Sequence, residues 1–125
     1  MDEKQRKTLK FKEENLFLQV SQYRSNGRIA VMAYTEEEPF SDITINLPGM
    51  CLDEDEGAID SLAKSCGLEK ALIKKGIIKE VYGTTKYNMG TYDIVAFNIE
   101  ELRKYDPEGV KQFEEILQQD EEEMD

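Results

Sequence analysis

The chain contains no histidine and no tryptophan, and only two cysteines and three prolines among its 125 residues. Without an imidazole, the Ser-His-Asp and Cys-His arrangements that activate a nucleophile are unavailable. Cys51 and Cys66 do not form a Cys-x-x-Cys pair, and no histidine is present to complete a tetrahedral zinc site. The glycines at 76, 83 and 90 do not fit phosphate-loop spacing, and no Gly-Lys-Ser/Thr occurs. Long apolar runs are missing too: the longest, Ile29 to Tyr34, has six residues, against the ~20 that span a bilayer. The opening residues are charged and lack the apolar stretch of a signal peptide, so a cytoplasmic protein is expected. In that reducing setting Cys51 and Cys66 are expected as free thiols, and the sequence leaves a bridge between them open. No catalytic residue, metal ligand or cofactor is assigned, and the expectation is a protein that is not an enzyme.

Charge is abundant instead, with 27 acidic residues against 16 basic and a formal net charge of −11. Residues 36–60 hold nine acids and no base, whereas residues 61–90 carry six lysines against two glutamates. A chain of this sign is a poor direct ligand for DNA or an anionic membrane. The expected partner is therefore a protein, or a second copy of the chain, met with help from carboxylates. Residues 53–60 resemble a calcium loop only faintly. The turn glycine, Gly57, is fifth rather than sixth, and the twelfth position is Lys64 rather than glutamate.

Hydrophobic alternation marks the strands. Residues 8–13 read as a short edge strand. Leu16, Leu18 and Val20 share one face of the next, with Phe17, Gln19, Ser21 and Tyr23 on the other. Asn26-Gly27 predicts a two-residue type I′ turn, which would set Val20 opposite Ala33 and Gln22 opposite Val31. Glu36, Glu37, Glu38 and Pro39 break the sheet. Residues 42–47 then read as one strand with Ile43, Ile45 and Leu47 inward and Thr44 outward, stopped by Pro48-Gly49. Ile59, Leu62, Ala63 and Cys66 recur at helical spacing, and residues 68–75 form a short helix that Gly76 stops. Residues 77–85 and 91–98 are two further strands around Asn88-Met89-Gly90, with glycine expected in the left-handed position and the second strand interior. Asn98 with Glu101 resembles a capping box, and Asp106-Pro107 starts a C-terminal helix with Val110, Phe113, Ile116 and Leu117 on one face.

These elements predict an α+β fold: a single antiparallel sheet of five to six strands, a short connecting helix, and a C-terminal helix packed on one face. Residues 1–119 form the one expected domain, and 120–125 an acidic disordered tail. The outward aromatics Phe17, Tyr23, Tyr34 and Tyr82 lack the positive groove that a nucleic-acid platform needs. The candidate interaction surface comprises Phe17, Tyr23, Met32 and Tyr34 with the acids Glu36, Glu37, Glu38, Asp53, Glu54, Asp55 and Glu56.

Asn46-Leu47-Pro48, Ala58-Ile59-Asp60, Gly76-Ile77 and the stretch from Tyr92 to Asn98 with Leu102 resemble a small family of unknown function. The resemblance covers roughly residues 15–104. It implies an accessory protein of Firmicutes, encoded on conjugative transposons or related mobile elements, and transfers no catalytic residue. It also implies that Ala58-Ile59-Asp60 is extended, against the helical spacing there. Two functions follow as expectations. The first is a non-enzymatic interaction module; the alternative is an acidic DNA mimic that inhibits a host defence nuclease or DNA-binding protein.

Overall fold

The structure, a computed structural model, describes residues 7–47, 49–50 and 52–124, with the side chains of 120–124 left out. Strands β1 (Leu9–Phe11), β2 (Glu14–Gln22) and β3 (Ile29–Tyr34) run antiparallel in chain order. As the alternation requires, Leu18, Val20, Ile29, Val31 and Ala33 share the buried face. The register differs from expectation by two residues. Val20 pairs with Val31 and Gln22 with Ile29, and the loop spans four residues, 24–27. Tyr23 N–H donates to Arg28 C=O at 2.9 Å, and Gly27 N–H returns to Tyr23 C=O at 2.8 Å. A type I′ turn needs both central residues at positive φ. Here only Gly27, at 72°, complies. Asn26 instead accepts the Arg28 N–H on its side chain and donates to Asn46 Oδ1 at 2.9 Å. A shift of two preserves parity, so every side chain keeps its face.

The strand expected over 42–47 is divided, and the sheet divides with it. β4 (Pro39–Asp42) pairs with β3, while β5 (Thr44–Ile45) pairs with β6 (Glu56–Ile59). Two four-stranded sheets result, β1-β2-β3-β4 and β5-β6-β8-β7, in place of one sheet of five to six strands. Ile43 is the switch: its N–H donates to Val31 C=O at 3.0 Å and its C=O accepts Asp60 N–H at 2.9 Å. A strand that bends out of one sheet into another makes such a corner. Thr44, expected outward, is buried because its hydroxyl accepts the Val31 N–H at 3.1 Å. Pro39 opens β4 on the edge of its sheet, where a missing donor is tolerated.

Ala58 and Ile59 lie in β6, so the helical reading fails at its start and the extended segment implied by the resemblance is the one observed. Helix α1 (Ser61–Ser65) begins only where Asp60 Oδ1 accepts Leu62 N–H at 2.8 Å. Helix α2 (Leu68–Lys74) stops as expected. Gly76 takes φ 78°, its N–H meets Ile73 C=O, and Ile77 N–H meets Leu72 C=O. Leu72 and Ile77, which this Schellman closure joins, are both buried. β7 (Ile78–Tyr87) and β8 (Gly90–Phe97) form a long hairpin, and β8 is interior, between β6 and β7. Asn88, at φ 55°, takes the left-handed place expected of Gly90.

Helix α3 (Ile99–Tyr105) is capped by Asn98, whose Oδ1 accepts Glu101 N–H at 3.2 Å. Helix α4 (Pro107–Met124) follows Asp106. α3 and α4 pack on β2, α2 on β7, and one contiguous core joins both sheets and all four helices. The C-terminal helix therefore does cover the first sheet, as expected. Its backbone continues to Met124. The acidic tail concerns side chains outside those described, and Pro48 and Cys51, with the strand stop and thiol expected there, also lie outside the described residues. Cys66 is a free thiol.

Candidate functional site

Phe17, Met32 and Tyr34 project from the side of β2 and β3 opposite the core. Phe17 pairs with Tyr34, and the Tyr34 hydroxyl lies 3.6 Å from Met32 Sδ as its donor. All three are half-buried. Tyr23 does not join them as a surface group. Its hydroxyl bonds to Thr44 Oγ1 at 2.8 Å, at the corner between the sheets. Burial raises its pKa above the usual phenol value, and nearby Asp42 and Asp60 push the same way against the Thr44 hydrogen bond.

The acids fall into two groups. Glu36, Glu37 and Glu38 occupy the exposed turn between β3 and β4, where the Thr35 hydroxyl accepts the Glu37 and Glu38 N–H groups at 3.3 and 3.2 Å. Glu36 and Glu37 line a hollow of about 320 Å³ with Glu13 and Glu14. Asp53, Glu54 and Asp55 line a larger hollow of about 600 Å³ with Arg28, Glu100 and Glu114, over Ile99, Phe113 and Leu117. Arg28 donates to Leu52 C=O there. Glu56 sits in β6 and accepts the Asp53 N–H at 2.8 Å, while Asp55 pairs with Lys79 at 3.2 Å. Arg28 precedes β3 and Thr35 follows it, so the two hollows lie at opposite ends of a six-residue strand, roughly 20 Å long. The two acidic groups thus lie at opposite ends of β3, and Tyr23 sits at the sheet corner away from Phe17 and Tyr34. Arg103 forks onto Glu100 and Glu114 with bonds of 2.8 to 3.2 Å, which holds both carboxyls below their usual range. Among the described residues, no group of three or more His, Cys, Asp or Glu side chains is arranged to hold a metal ion.

Two features were not singled out by the sequence reading. The first is the edge of the second sheet. β6 pairs with β8 only over Ile94–Ala96, so residues 84–93 extend beyond it as a two-stranded arm. β7 is the last strand of its sheet, and from Lys79 to Tyr87 its residues are exposed on both faces, Thr85 alone being half-buried. Val81, Tyr82 and Tyr87 are exposed, and Met89 at the tip is fully so. Lys70, Lys74, Lys75, Lys79 and Lys86 lie along α2, its end and this edge. The second is a cluster behind it: Lys64 Nζ meets Asp93 Oδ1 at 3.0 Å, and the buried Glu69 carboxyl interacts with Asp93. Residue spacing alone could not have joined α1, α2 and β8 at one point.

Residues 17–117 match a family described as a domain of unknown function, DUF4313. The chain belongs to that family. No curated protein and no solved structure matches it significantly. The DUF4313 match runs from within β2 into α4, so it takes in the sheet corner, the larger hollow and the arm, and leaves out β1 and the Glu13–Asn15 side of the smaller hollow. No helix among the described residues is long and apolar enough to cross a membrane.

Proposed function

We propose that this DUF4313 member is a non-enzymatic protein-binding module, serving as a cytoplasmic accessory protein of a conjugative or other mobile element of Firmicutes. The setting is supported by the family resemblance of its short motifs. The binding role is supported by one observation above all: a ten-residue edge strand, β7, with an open side and exposed Val81, Tyr82 and Tyr87. An uncovered edge presents unpaired N–H and C=O groups that template an incoming strand. The fitting occupant is an extended partner segment with acidic side chains, because Lys79 and Lys86 stand on this edge and Lys74 and Lys75 border it.

The test uses two synthetic strand-forming peptides, one with glutamate and one with lysine at alternate positions, followed by amide NMR shifts. The expected result is movement and protection of the Val81–Tyr87 amides by the acidic peptide alone, lost in Thr85→Pro. Equal effects of both peptides, or none, would overturn it. Light scattering on the free protein distinguishes a second copy as occupant. DNA mimicry would need one continuous row of carboxylates, and the separation of the two acidic hollows favours the first reading.

A further inference from the structure

Glu69 is 5% exposed and Asp93 7%, two buried acids that interact with each other, and the half-exposed Lys64 pairs with Asp93. Each comes from a different element: Lys64 from α1, Glu69 from the first turn of α2, and Asp93 from the buried face of β8. The charged groups facing Glu69 are Asp93 and Lys64. The other charges of α2 and of the adjoining part of β7, namely Lys70, Lys74, Lys79 and Glu80, are exposed.

We propose that Lys64, Glu69 and Asp93 form a proton-operated latch that fastens the α1–α2 helical pair to β8. In the closed form the Glu69 carboxyl O–H donates to the Asp93 carboxylate, which also accepts from the Lys64 ammonium at 3.0 Å. Every polar partner is matched and the cluster is neutral. When Glu69 gives its proton to solvent, two buried carboxylates face each other across one ammonium, and the cluster carries a net negative charge. Like charges in a poorly solvated site repel strongly, and the relief open to the chain is movement of α2 with Glu69 toward water. A glutamine would make the same bond to Asp93 at every pH. Glutamate makes it only while protonated.

Burial first, then the Asp93 hydrogen bond and charge, raise the Glu69 pKa to about 7, with Lys64 opposing. An unfolded glutamate titrates at about 4.3. Between these values the folded chain holds a proton that the unfolded chain has lost, so stability falls as pH rises, until Glu69 is ionised in both states. Asp93 has the opposite sign. Its pKa is lowered by Glu69 and Lys64 against burial, and its contribution disappears as the pH falls through its folded value. The latch is therefore tightest in mildly acidic solution and loosens through neutrality. It stands independently of the protein-binding reading, although α2 packs on β7 and its release disturbs that edge.

The experiment compares hydrogen exchange of the α1–α2 amides at about pH 5.5 and about pH 8.5, corrected for intrinsic exchange, in the native chain and in Glu69→Gln. The native chain should lose α1–α2 protection selectively at the higher pH, with its melting point falling by several degrees, and Glu69→Gln should keep both. An identical pH response in the two proteins would overturn the latch. The native Glu69 carboxyl is also titrated by carbon-13 NMR, a readout that does not depend on how the variant folds. A midpoint near neutrality is the expected result; one in the ordinary glutamate range overturns it without any variant.

Discussion

Asp106 joins two distant parts of the chain with one carboxylate. Its Oδ1 accepts the Gly109 N–H at 3.1 Å, capping α4, and its Oδ2 accepts the buried Val20 N–H at 2.9 Å. The second bond answers a need of β2: β1 pairs with β2 only as far as Leu16, and Val20 lies beyond that cover. Gly109 permits the approach, since a Cβ there would lie 2.5 Å from the Val20 carbonyl oxygen and would also strike the Asp106 carboxylate. Asp106→Ala removes a cap worth about 1 kcal/mol and orphans a buried N–H at about 1–3 kcal/mol, so a loss of roughly 2–4 kcal/mol is expected in urea unfolding. Gly109→Ala should cost about 1–3 kcal/mol by the same measurement, although alanine is the better helix former. Asp106-Pro107 was legible as a helix start from two adjacent letters. Its grip on Val20, 86 residues away, and the demand on Gly109 were not, because no local pattern records which backbone group lies across a helix.

Among the elements, the strand across positions 39–45 departs most from its pattern. Ile43, Ile45 and Leu47 alternate as a single strand should, yet the chain changes sheets at Ile43. Alternation reports faces and not neighbours. It could not show that the Thr44 hydroxyl takes over a ladder position, receiving the Val31 N–H and holding Tyr23. Thr44→Val keeps the shape and deletes the hydroxyl. It should therefore destabilise by about 1–3 kcal/mol, more than Tyr23→Phe, which leaves the Val31 bond intact. Thermal melts of the two variants give the comparison. Caps and stops read better: Asn98, Gly76 and Asp106 act where their residue types imply. The hairpin at Asn26-Gly27 was found in the right place with its faces right, and its register was missed because Asn26 spends its side chain on Arg28 and Asn46.

For the whole molecule, two sheets do not make two independent units. Leu18 and Val31 of the first, Val95 and Phe97 of the second, and Leu68, Leu102 and Phe113 of the helices belong to one buried cluster. Unfolding should accordingly be a single transition. Far-UV circular dichroism and tyrosine fluorescence, the latter usable because no tryptophan masks it, should give the same urea midpoint. Separate midpoints would show that the sheets melt apart. The α+β class, the helix over β2 and the interior position of β8 were legible because periodicity carries them. The division into two sheets and the arm at residues 84–93 were not, since strand partners are chosen by tertiary packing.

The backbone of Ile43, whose N–H faces Val31 and whose C=O faces Asp60, makes that short stretch a shared axle for the two sheets. Lengthening it by even one amino acid would leave one of those two groups reaching for a contact that has rotated away. An inserted residue should be tolerated better in the 24–27 loop, where the hairpin can absorb it without disturbing either sheet.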